Sequence, residues 1–130
     1  MKKQIKLAIV GSRTFNDLQA FYKCLQVLKV DYEIIQIISG GAKGADSIGE
    51  KYADENNIPK LIFKPDWQKY GKRAGFLRNE DIIKNCNFCL AFWDGESHGT
   101  KHDIELCKKY NIPCFIYNFN SGESEIENLK

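Results

Sequence analysis

Short apolar runs alternate with longer amphipathic segments along the whole chain, and this alternation limits the fold more than any other feature of the sequence. Residues 5–10 read IKLAIV, and residues 16–30 place apolar side chains three and four positions apart. The first pattern predicts a buried strand and the second an amphipathic helix. Further strands are predicted at 34–38, 60–63, 87–93 and 114–117, and further helices at 45–56, 75–84 and 99–110.

Continuously apolar strands that alternate with helices indicate a parallel sheet covered by helices on both faces. Two predicted helices are followed by the same tripeptide, Asn57-Ile58-Pro59 and Asn111-Ile112-Pro113. The proline favours an extended conformation at the entry into the next strand. We therefore expect an α/β fold with one three-layer domain at 1–118 and a mainly parallel five-stranded sheet. The polar tail at 119–130 is expected to be frayed or weakly helical from residue 121 onward.

Length, charge and cysteine content narrow the class of protein. A chain of 130 residues with 43% apolar residues suits one soluble domain. The net charge of +2 disfavours a protein that grips long nucleic acid by its backbone and leaves only a local basic patch for such binding. No stretch approaches the ~20 apolar residues of a membrane span, and the amino terminus lacks a signal-peptide pattern. The five cysteines, an odd number, are expected to be reduced thiols in the cytoplasm.

Three glycine-rich turns follow predicted strands, at 11–13, 39–46 and 94–100. In a doubly wound sheet, ligands bind outside the carboxyl ends of the strands. Helix N-termini at such turns offer unpaired N–H groups and a partial positive charge. The sequence therefore predicts a crevice for phosphate or a phosphorylated sugar, that is, a nucleotide-ligand site.

The first turn, Gly11-Ser12-Arg13, combines conformational freedom, a hydroxyl group and a guanidinium fork that suits phosphate or carboxylate. We predict that all three residues bind the ligand. The alternative is an ordinary turn at a strand end with a solvated arginine.

The second turn, SGGAKGAD, begins at Ser39 and carries three glycines in five residues, Gly40, Gly41 and Gly44. Glycine costs conformational entropy, so this density predicts a flattened loop that presents N–H groups to a ligand. Asp46 either caps the following helix or holds a ribose hydroxyl. The turn is neither a Walker A loop nor a GxGxxG fingerprint.

The segment 66–79 reads DWQKYGKRAGFLRN and interleaves basic and aromatic residues. Such a segment can clamp phosphates and stack a base, or it can be a solvated basic helix face with two core aromatics. We select Arg73, Arg78 and Asn79 as candidate ligand-binding residues, and Arg78 because it could reach the crevice.

The third turn opens a helix near Thr100, whose N–H and hydroxyl groups can bind phosphate. Asp103 follows three residues later on the same side of the helix, where it either lies beside the sugar or complements the helix dipole. His98 is either a ligand contact or a surface residue. The candidate ligand-binding residues of this turn are Asp94, Gly95, Ser97, Gly99 and Thr100.

Cys86 and Cys89 form a CxxC pair, but Cys107 and Cys114 lack the spacing of a second ligand pair. The position of the pair at the start of a buried strand favours packing over a redox or metal role. We predict neither a metal nor a cofactor.

Taken together, GSR, SGGAKGAD, AGFLRN and DGESHGT resemble the YspA/YpsA-like branch of the SLOG superfamily, which joins the Smf/DprA proteins and the LOG-type phosphoribohydrolases. The resemblance spans about Lys6 to Pro113 in the right order. It implies a Rossmann-like sheet that binds nucleotides or nucleotide-derived ligands. It also implies a role as sensor, sequestering module or processing enzyme, often in bacterial or phage conflict.

The LOG enzymes suggest which residues could act on an N-glycosidic bond. Arg78 matches their arginine, and Asp103 takes the place of the glutamate in their PGGxGTxxE motif. Gly95, Gly99 and Thr100 match the glycine-threonine loop of that motif. Two departures are the replacement of PGG by Asp94-Gly95-Glu96 and a carboxylate that is one methylene shorter.

Three functions follow from these observations. We prefer a binding protein for a nucleotide or a nucleotide-derived ligand, because the phosphate-binding turns are intact while the catalytic motif is altered. The alternatives are hydrolysis of nucleoside 5′-monophosphates, with Arg78 and Asp103 as catalytic residues, and binding of single-stranded DNA as in the DprA relatives, which the low charge disfavours. Related domains pair through helices that flank the sheet, which implies a homodimer or a higher homo-oligomer.

Overall fold

The computed structural model describes residues 2–129 and contains one six-stranded sheet with helices on both faces. Each predicted strand and helix is present, with bounds that differ by a few residues at most. Two short helical turns and a sixth strand are added. In chain order the elements are β1 (Lys3–Gly11), α1 (Leu18–Lys29), β2 (Tyr32–Ser39), α2 (Ala45–Glu55), β3 (Lys60–Ile62), α3 (Trp67–Tyr70), a 3₁₀ turn (Gly71–Arg73), α4 (Ala74–Asn85), β4 (Phe88–Trp93), α5 (His98–Lys109), β5 (Cys114–Asn118) and β6 (Ser124–Glu127).

The strand order in the sheet is β3-β2-β1-β4-β5-β6. The first five strands run parallel, and β6 is antiparallel to β5. The chain winds outward from β1 to β3, returns to place β4 on the other side of β1, and then winds outward again. The winding therefore reverses between β1 and β4, and this is where doubly wound sheets bind ligands.

Alternate residues of β1 enter two separate cores. Leu7 and Ile9 pack with residues of α1 and α2 on one face of the sheet, whereas Ala8 and Val10 pack with residues of α4 and α5 on the other. All four side chains are almost fully buried. A strand that is covered on both faces is apolar at successive positions, which explains the unbroken apolar run at residues 7–10, whereas Lys6 before it is exposed. The predicted α/β, three-layer, Rossmann-like arrangement is confirmed.

The two Asn-Ile-Pro segments end their helices in the same way. Asn57 and Asn111 both adopt left-handed backbone conformations, with φ of 56° and 57°. The N–H group of Ile58 then donates to the carbonyl of Ala53 at 2.9 Å, and the matching bond after α5 measures 2.8 Å. This six-to-one bond is the Schellman ending of a helix. Asparagine thus turns the chain, and the proline after it starts the extended segment.

The expectation for the tail is wrong over Ser124–Glu127, which forms the edge strand β6 instead of frayed or helical structure. Gly122 turns the chain with φ of 79°, and the N–H group of Asn118 donates to the carbonyl of Glu123 at 2.8 Å. The side chains of β6 are largely exposed, so an apolar pattern does not mark it. Its stability comes from backbone pairing with β5. Met1 and Lys130, which bound the predicted domain and tail, lie outside the described residues.

The segment before α4 also differs from expectation. Trp67 and Tyr70 lie in α3 with 53% and 43% of their surfaces exposed, so they are not core aromatics. The carboxylate of Asp66 caps this short helix by accepting from the N–H group of Lys69 at 3.0 Å. None of the helices within residues 2–129 is long and apolar enough to cross a membrane.

Candidate functional site

A cavity of about 390 Å³ lies at the carboxyl ends of β1 and β4, where the winding of the sheet reverses. All three glycine-rich turns contribute to its wall, as the sequence predicted, together with the middle of α4 and the first turns of α5. The lining residues are Val10, Gly11, Ser12, Arg13, Thr14, Ala42, Asp46, Arg78, Asn79, Ile82, Asp94, Ser97, Gly99, Thr100 and Asp103.

The first two turns are packed directly against each other. Gly44 has φ of 80°, and a Cβ atom at this position would lie 2.6 Å from the carbonyl oxygen of Arg13. A Cβ atom on Gly11 would lie 2.5 Å from the carbonyl oxygen of Phe92 and 2.7 Å from the Cβ of Ala45. These distances are far below van der Waals contact, so both positions require glycine. The glycines therefore allow the turns to meet around one cavity.

Gly40 is held by two charged side chains that come from opposite faces of the sheet. The carboxylate of Asp46, on α2, accepts from the N–H groups of Gly40 at 3.0 Å and Ala42 at 3.4 Å. The guanidinium group of Arg78, on α4, donates to the carbonyl of Gly40 at 2.6 Å. A Cβ atom at residue 40 would overlap this guanidinium group. Asp46 thus braces the second turn, a role that neither of the two sequence alternatives described.

Arg78 also anchors a polar chain along one wall of the cavity. Its Nε donates to the Oδ1 of Asn79 at 2.9 Å, and the Nδ2 of Asn79 lies 3.2 Å from the Nδ1 of His102. The bonds to Gly40 and Asn79 use two of the five guanidinium N–H groups. Arg78 is therefore fixed in position while it still has donors for a ligand.

Asp103 is the least satisfied polar side chain of the cavity. It is 5% exposed, and its Oδ1 atom is buried without a hydrogen-bond partner among the described residues. Burial raises the pKa of Asp103 well above 3.8, the carboxylate of Asp46 raises it further, and Arg78 opposes the shift. Burial also raises the pKa of Asp46, to about 6. The cavity therefore contains two carboxyl groups that bind a proton at a higher pH than an exposed aspartate does.

The third turn is organised by Asp94. Its Oδ1 atom accepts from the N–H groups of Ser97 at 2.7 Å and Glu96 at 2.8 Å, and these bonds lower the pKa of Asp94. Gly95 has φ of 88°, and the Oγ of Ser97 lies 3.4 Å from the Oγ1 of Thr100. The turn thus places two hydroxyl groups at the start of α5.

Helices α2 and α5, which begin at the cavity, lack side-chain caps among the described residues, as does α4, whereas α1 and α3 have them. Asp17 caps α1 by accepting from the N–H group of Ala20 at 3.1 Å, and Asp66 caps α3. No side chain in the described part of the chain caps α2 at Gly44 or α5 at Ser97. Uncapped first-turn N–H groups need an acceptor. These two helices therefore leave donors for an anion at the cavity.

Several predicted residues do not line this cavity. Arg73 lines a separate cavity with Phe76 and His102. Ser39 is buried and donates from its Oγ to the Oε2 of Glu50 at 2.5 Å. His98 is exposed on the surface. Gly40, Gly41, Gly44 and Gly95 shape the turns without lining the cavity.

Four lining residues were not selected from the sequence. Val10 and Ile82 are apolar, so the sequence pattern indicates core positions for them. Both belong to the core on the α4–α5 face of the sheet, and both also line the cavity. Ala42 is a small residue inside the second turn. Thr14 directly follows Arg13, and its hydroxyl group was the one available signal.

The comparisons with known proteins are consistent with this geometry. A profile of the family described as "YspA, cpYpsA-related SLOG family" matches residues 5–70. The "Gene 61 protein" of Mycobacterium phage D29 is 32% identical in an alignment 122 residues long, and the match covers 88% of this chain and 95% of the phage protein. No solved structure matches significantly. The profile covers the first two glycine turns, whereas Arg78 and Asp103 lie beyond its range.

The contact between Gly40 and Arg78 predicts that substitutions at the two positions are coupled. Gly40→Ala should destabilise the protein because the added methyl group displaces the guanidinium group, and it should cost less in an Arg78→Ala background. We expect a coupling free energy of about 1–2 kcal/mol in a double-mutant cycle measured by urea unfolding. Gly99→Ala is the control, since nothing lies within 4 Å of the added carbon. Additive effects of Gly40→Ala and Arg78→Ala would contradict the contact.

The raised pKa of Asp46 predicts how stability depends on pH. The native state holds this proton more tightly than the unfolded state, so the stability that Asp46 contributes is greatest below pH 4 and is lost as the pH rises through 6. Asp46→Asn should reduce the decline in the free energy of unfolding between pH 4.5 and 7 by an amount of the order of 2 kcal/mol. Asp94→Asn should leave this decline unchanged, because the pKa of Asp94 is lowered and its carboxyl group is therefore largely ionised in both the native and the unfolded state across this pH range. Equal declines in the wild type and in Asp46→Asn would disprove the assignment.

Proposed function

Because the chain belongs to the YspA, cpYpsA-related SLOG family, we propose that its cavity binds a nucleotide or a nucleotide-derived ligand through a phosphate and a ribose. The protein would act in the cytoplasm as a sensor, sequestering or processing module. The observation that carries this proposal is the meeting of two uncapped helix N-termini and the unpaired Asp103 carboxyl in one cavity.

The phosphate is assigned to the start of α5. The N–H groups of Gly99 and Thr100 belong to the first turn of an uncapped helix, and the hydroxyl groups of Ser97 and Thr100 lie beside them. Arg13 lines the same cavity from the first turn, and its fork suits a phosphate. This combination of backbone donors, hydroxyl groups and guanidinium is a common way to hold a phosphoryl group.

The ribose is assigned to Asp103. This residue lies about one helical turn beyond Thr100 on the same helix, it is buried, and its unpaired Oδ1 atom needs a donor. A buried acceptor without a partner costs about 1–3 kcal/mol, which a sugar hydroxyl group would recover. The cavity volume of about 390 Å³ falls within the range that small-molecule sites occupy.

Arginine substitutions test the phosphate site, because the chain offers a matched pair. Arg13→Ala should weaken the binding of a nucleoside 5′-monophosphate about 10- to 100-fold, since a charge-assisted hydrogen bond contributes roughly 1.5–3 kcal/mol. Arg73→Ala, in the neighbouring cavity, should leave the affinity unchanged. Isothermal titration calorimetry with a panel of monophosphates, ribose 5-phosphate and the parent nucleosides measures both effects.

The nucleosides serve as internal controls. Their weaker binding should be insensitive to Arg13→Ala, because they lack the phosphate. If no compound of the panel binds the wild-type protein, the proposal is wrong.

A second candidate function is hydrolysis of the N-glycosidic bond of nucleoside 5′-monophosphates. It is favoured by the unpaired Asp103 carboxyl, which Arg78 faces in the same cavity. In this reaction the bond between C1′ and the base nitrogen breaks, water adds to C1′, and the base leaves with a proton. A carboxylate beside C1′ can stabilise the oxocarbenium character of the transition state and orient the water. Arg78 and the glycine-rich turns, including the one at the start of α5, would together hold the phosphate and so fix the sugar against Asp103.

Removal of the Asp103 charge separates binding from hydrolysis. If the wild type releases free base from a monophosphate, Asp103→Asn should abolish the release while it retains binding in the calorimeter. Glu105→Gln, on the exposed side of α5, is the control and should release base at the wild-type rate. Chromatography of the reaction mixture measures the base. Equal release by Asp103→Asn would remove this residue from the mechanism, and no release by the wild type would leave binding as the function.

A further inference from the structure

Three cysteine sulfur atoms lie close together in the core between the sheet and helices α4 and α5. Cys89 on β4, Cys107 on α5 and Cys114 on β5 have their Sγ atoms within 4.8 Å of one another. All three residues have no exposed surface. Cys89 and Cys114 are direct neighbours in the parallel pairing of β4 and β5, and Cys107 packs over them from the helix. The cluster is thus formed by three separate elements.

The separation of the sulfur atoms is close to the one that a metal ion imposes. Thiolates bound at about 2.3 Å around one ion lie about 4 Å apart, so the three sulfurs would need to move by less than about 1 Å to bind it. Thiolate ligands select soft ions, namely Cu(I) and Zn(II) among the common ones. We propose that Cys89, Cys107 and Cys114 form a thiolate site for one soft d¹⁰ metal ion, separate from the nucleotide cavity.

Glu127 provides a candidate fourth ligand. It is paired directly with Cys114 in the antiparallel β5–β6 ladder, so the two side chains lie on the same face of the sheet. Its Oε1 atom is buried without a hydrogen-bond partner in the described part of the chain, with the Nζ of Lys108 at 3.8 Å. Zn(II) prefers four ligands and would require this carboxylate, which is outside the group of sulfurs within 4.8 Å of one another, to move toward them, whereas three thiolates alone suit Cu(I).

Packing as a small apolar side chain is a sufficient reason for one buried cysteine, but it does not account for three cysteine sulfurs that lie together. A free cysteine behaves as a small hydrophobic residue, and Cys24 on the opposite face of the sheet is such a case. The CxxC pair is not the basis of the site either, because the Sγ of Cys86 donates to the carbonyl of Ile83 at 3.3 Å. Spacing in the sequence therefore did not reveal the cluster, which the parallel pairing of two strands creates.

Metal loading of the full-length protein tests the proposal. Because the sulfurs are fully buried, the reduced protein is unfolded in urea and refolded without oxygen in the presence of one equivalent of Cu(I) or Zn(II). Binding releases the thiol protons to solvent, and the sulfurs become the ligands. We expect one ion per chain in native mass spectrometry, retained against a competing chelator, and an increase in the melting temperature.

The variants distinguish the cluster from the other cysteines. Cys89→Ala, Cys107→Ala and Cys114→Ala should each lose the ion and the thermal shift, whereas Cys24→Ala and Cys86→Ala should keep both. Circular dichroism of each refolded apo-protein confirms that the loss does not reflect unfolding. If the protein retains Zn(II) and Glu127→Gln weakens this retention, the site has four ligands. If it retains Cu(I) and Glu127→Gln has no effect, the site consists of the three thiolates.

The proposal is overturned if the wild type retains neither ion. It is also overturned if the three cluster variants retain an ion as well as the wild type does, or if the reduced thiols form only a disulfide. These outcomes are independent of the nucleotide cavity, because none of the three cysteines lines it.

Discussion

The candidate site depends on how one peptide segment, at Gly40, is held at the end of β2. Asp46 accepts from its N–H group and Arg78 donates to its carbonyl, and these side chains come from helices on opposite faces of the sheet. The second turn is therefore fixed from both layers. The guanidinium group of Arg78 is therefore already fixed at the cavity, and its side chain does not have to become ordered when a ligand binds. Lower entropy loss on binding favours affinity.

The same arrangement explains why the cavity tolerates buried acids. Asp46 accepts hydrogen bonds from two backbone N–H groups. Burial raises the pKa of both Asp46 and Asp103, and the positive charge of Arg78 partly offsets this rise. Asp103 nevertheless retains an oxygen without a partner, and the helices on either side of the cavity begin without caps. These features reduce stability in the free protein. A ligand with both donors and a negative charge would satisfy all of them together.

The sequence was sufficient for most of the fold and for the location of the cavity, because both follow from local patterns. Apolar periodicity marked five strands and four helices, and glycine turns after parallel strands have to meet at one edge of a sheet. The sequence did not reveal β6, because its exposed side chains give no apolar pattern and backbone pairing stabilises the strand. It also indicated Arg73 as a ligand-binding residue, although Arg73 lies in the 3₁₀ turn before α4 and lines another cavity. The meeting of Cys89 and Cys114 depends on strand register, which a single sequence does not encode locally.

The tight packing around Gly44 has a mechanical consequence for access to the site. Its backbone is wedged against the carbonyl groups of Ser12 and Arg13, so the first two turns have to move as one rigid body. Gly99, on the far rim, borders open space, and nothing lies within 4 Å of the position its Cβ would take. A molecule held in the cavity would therefore contact one wall whose backbone is tightly packed and another wall, at the beginning of α5, that has free space beside it.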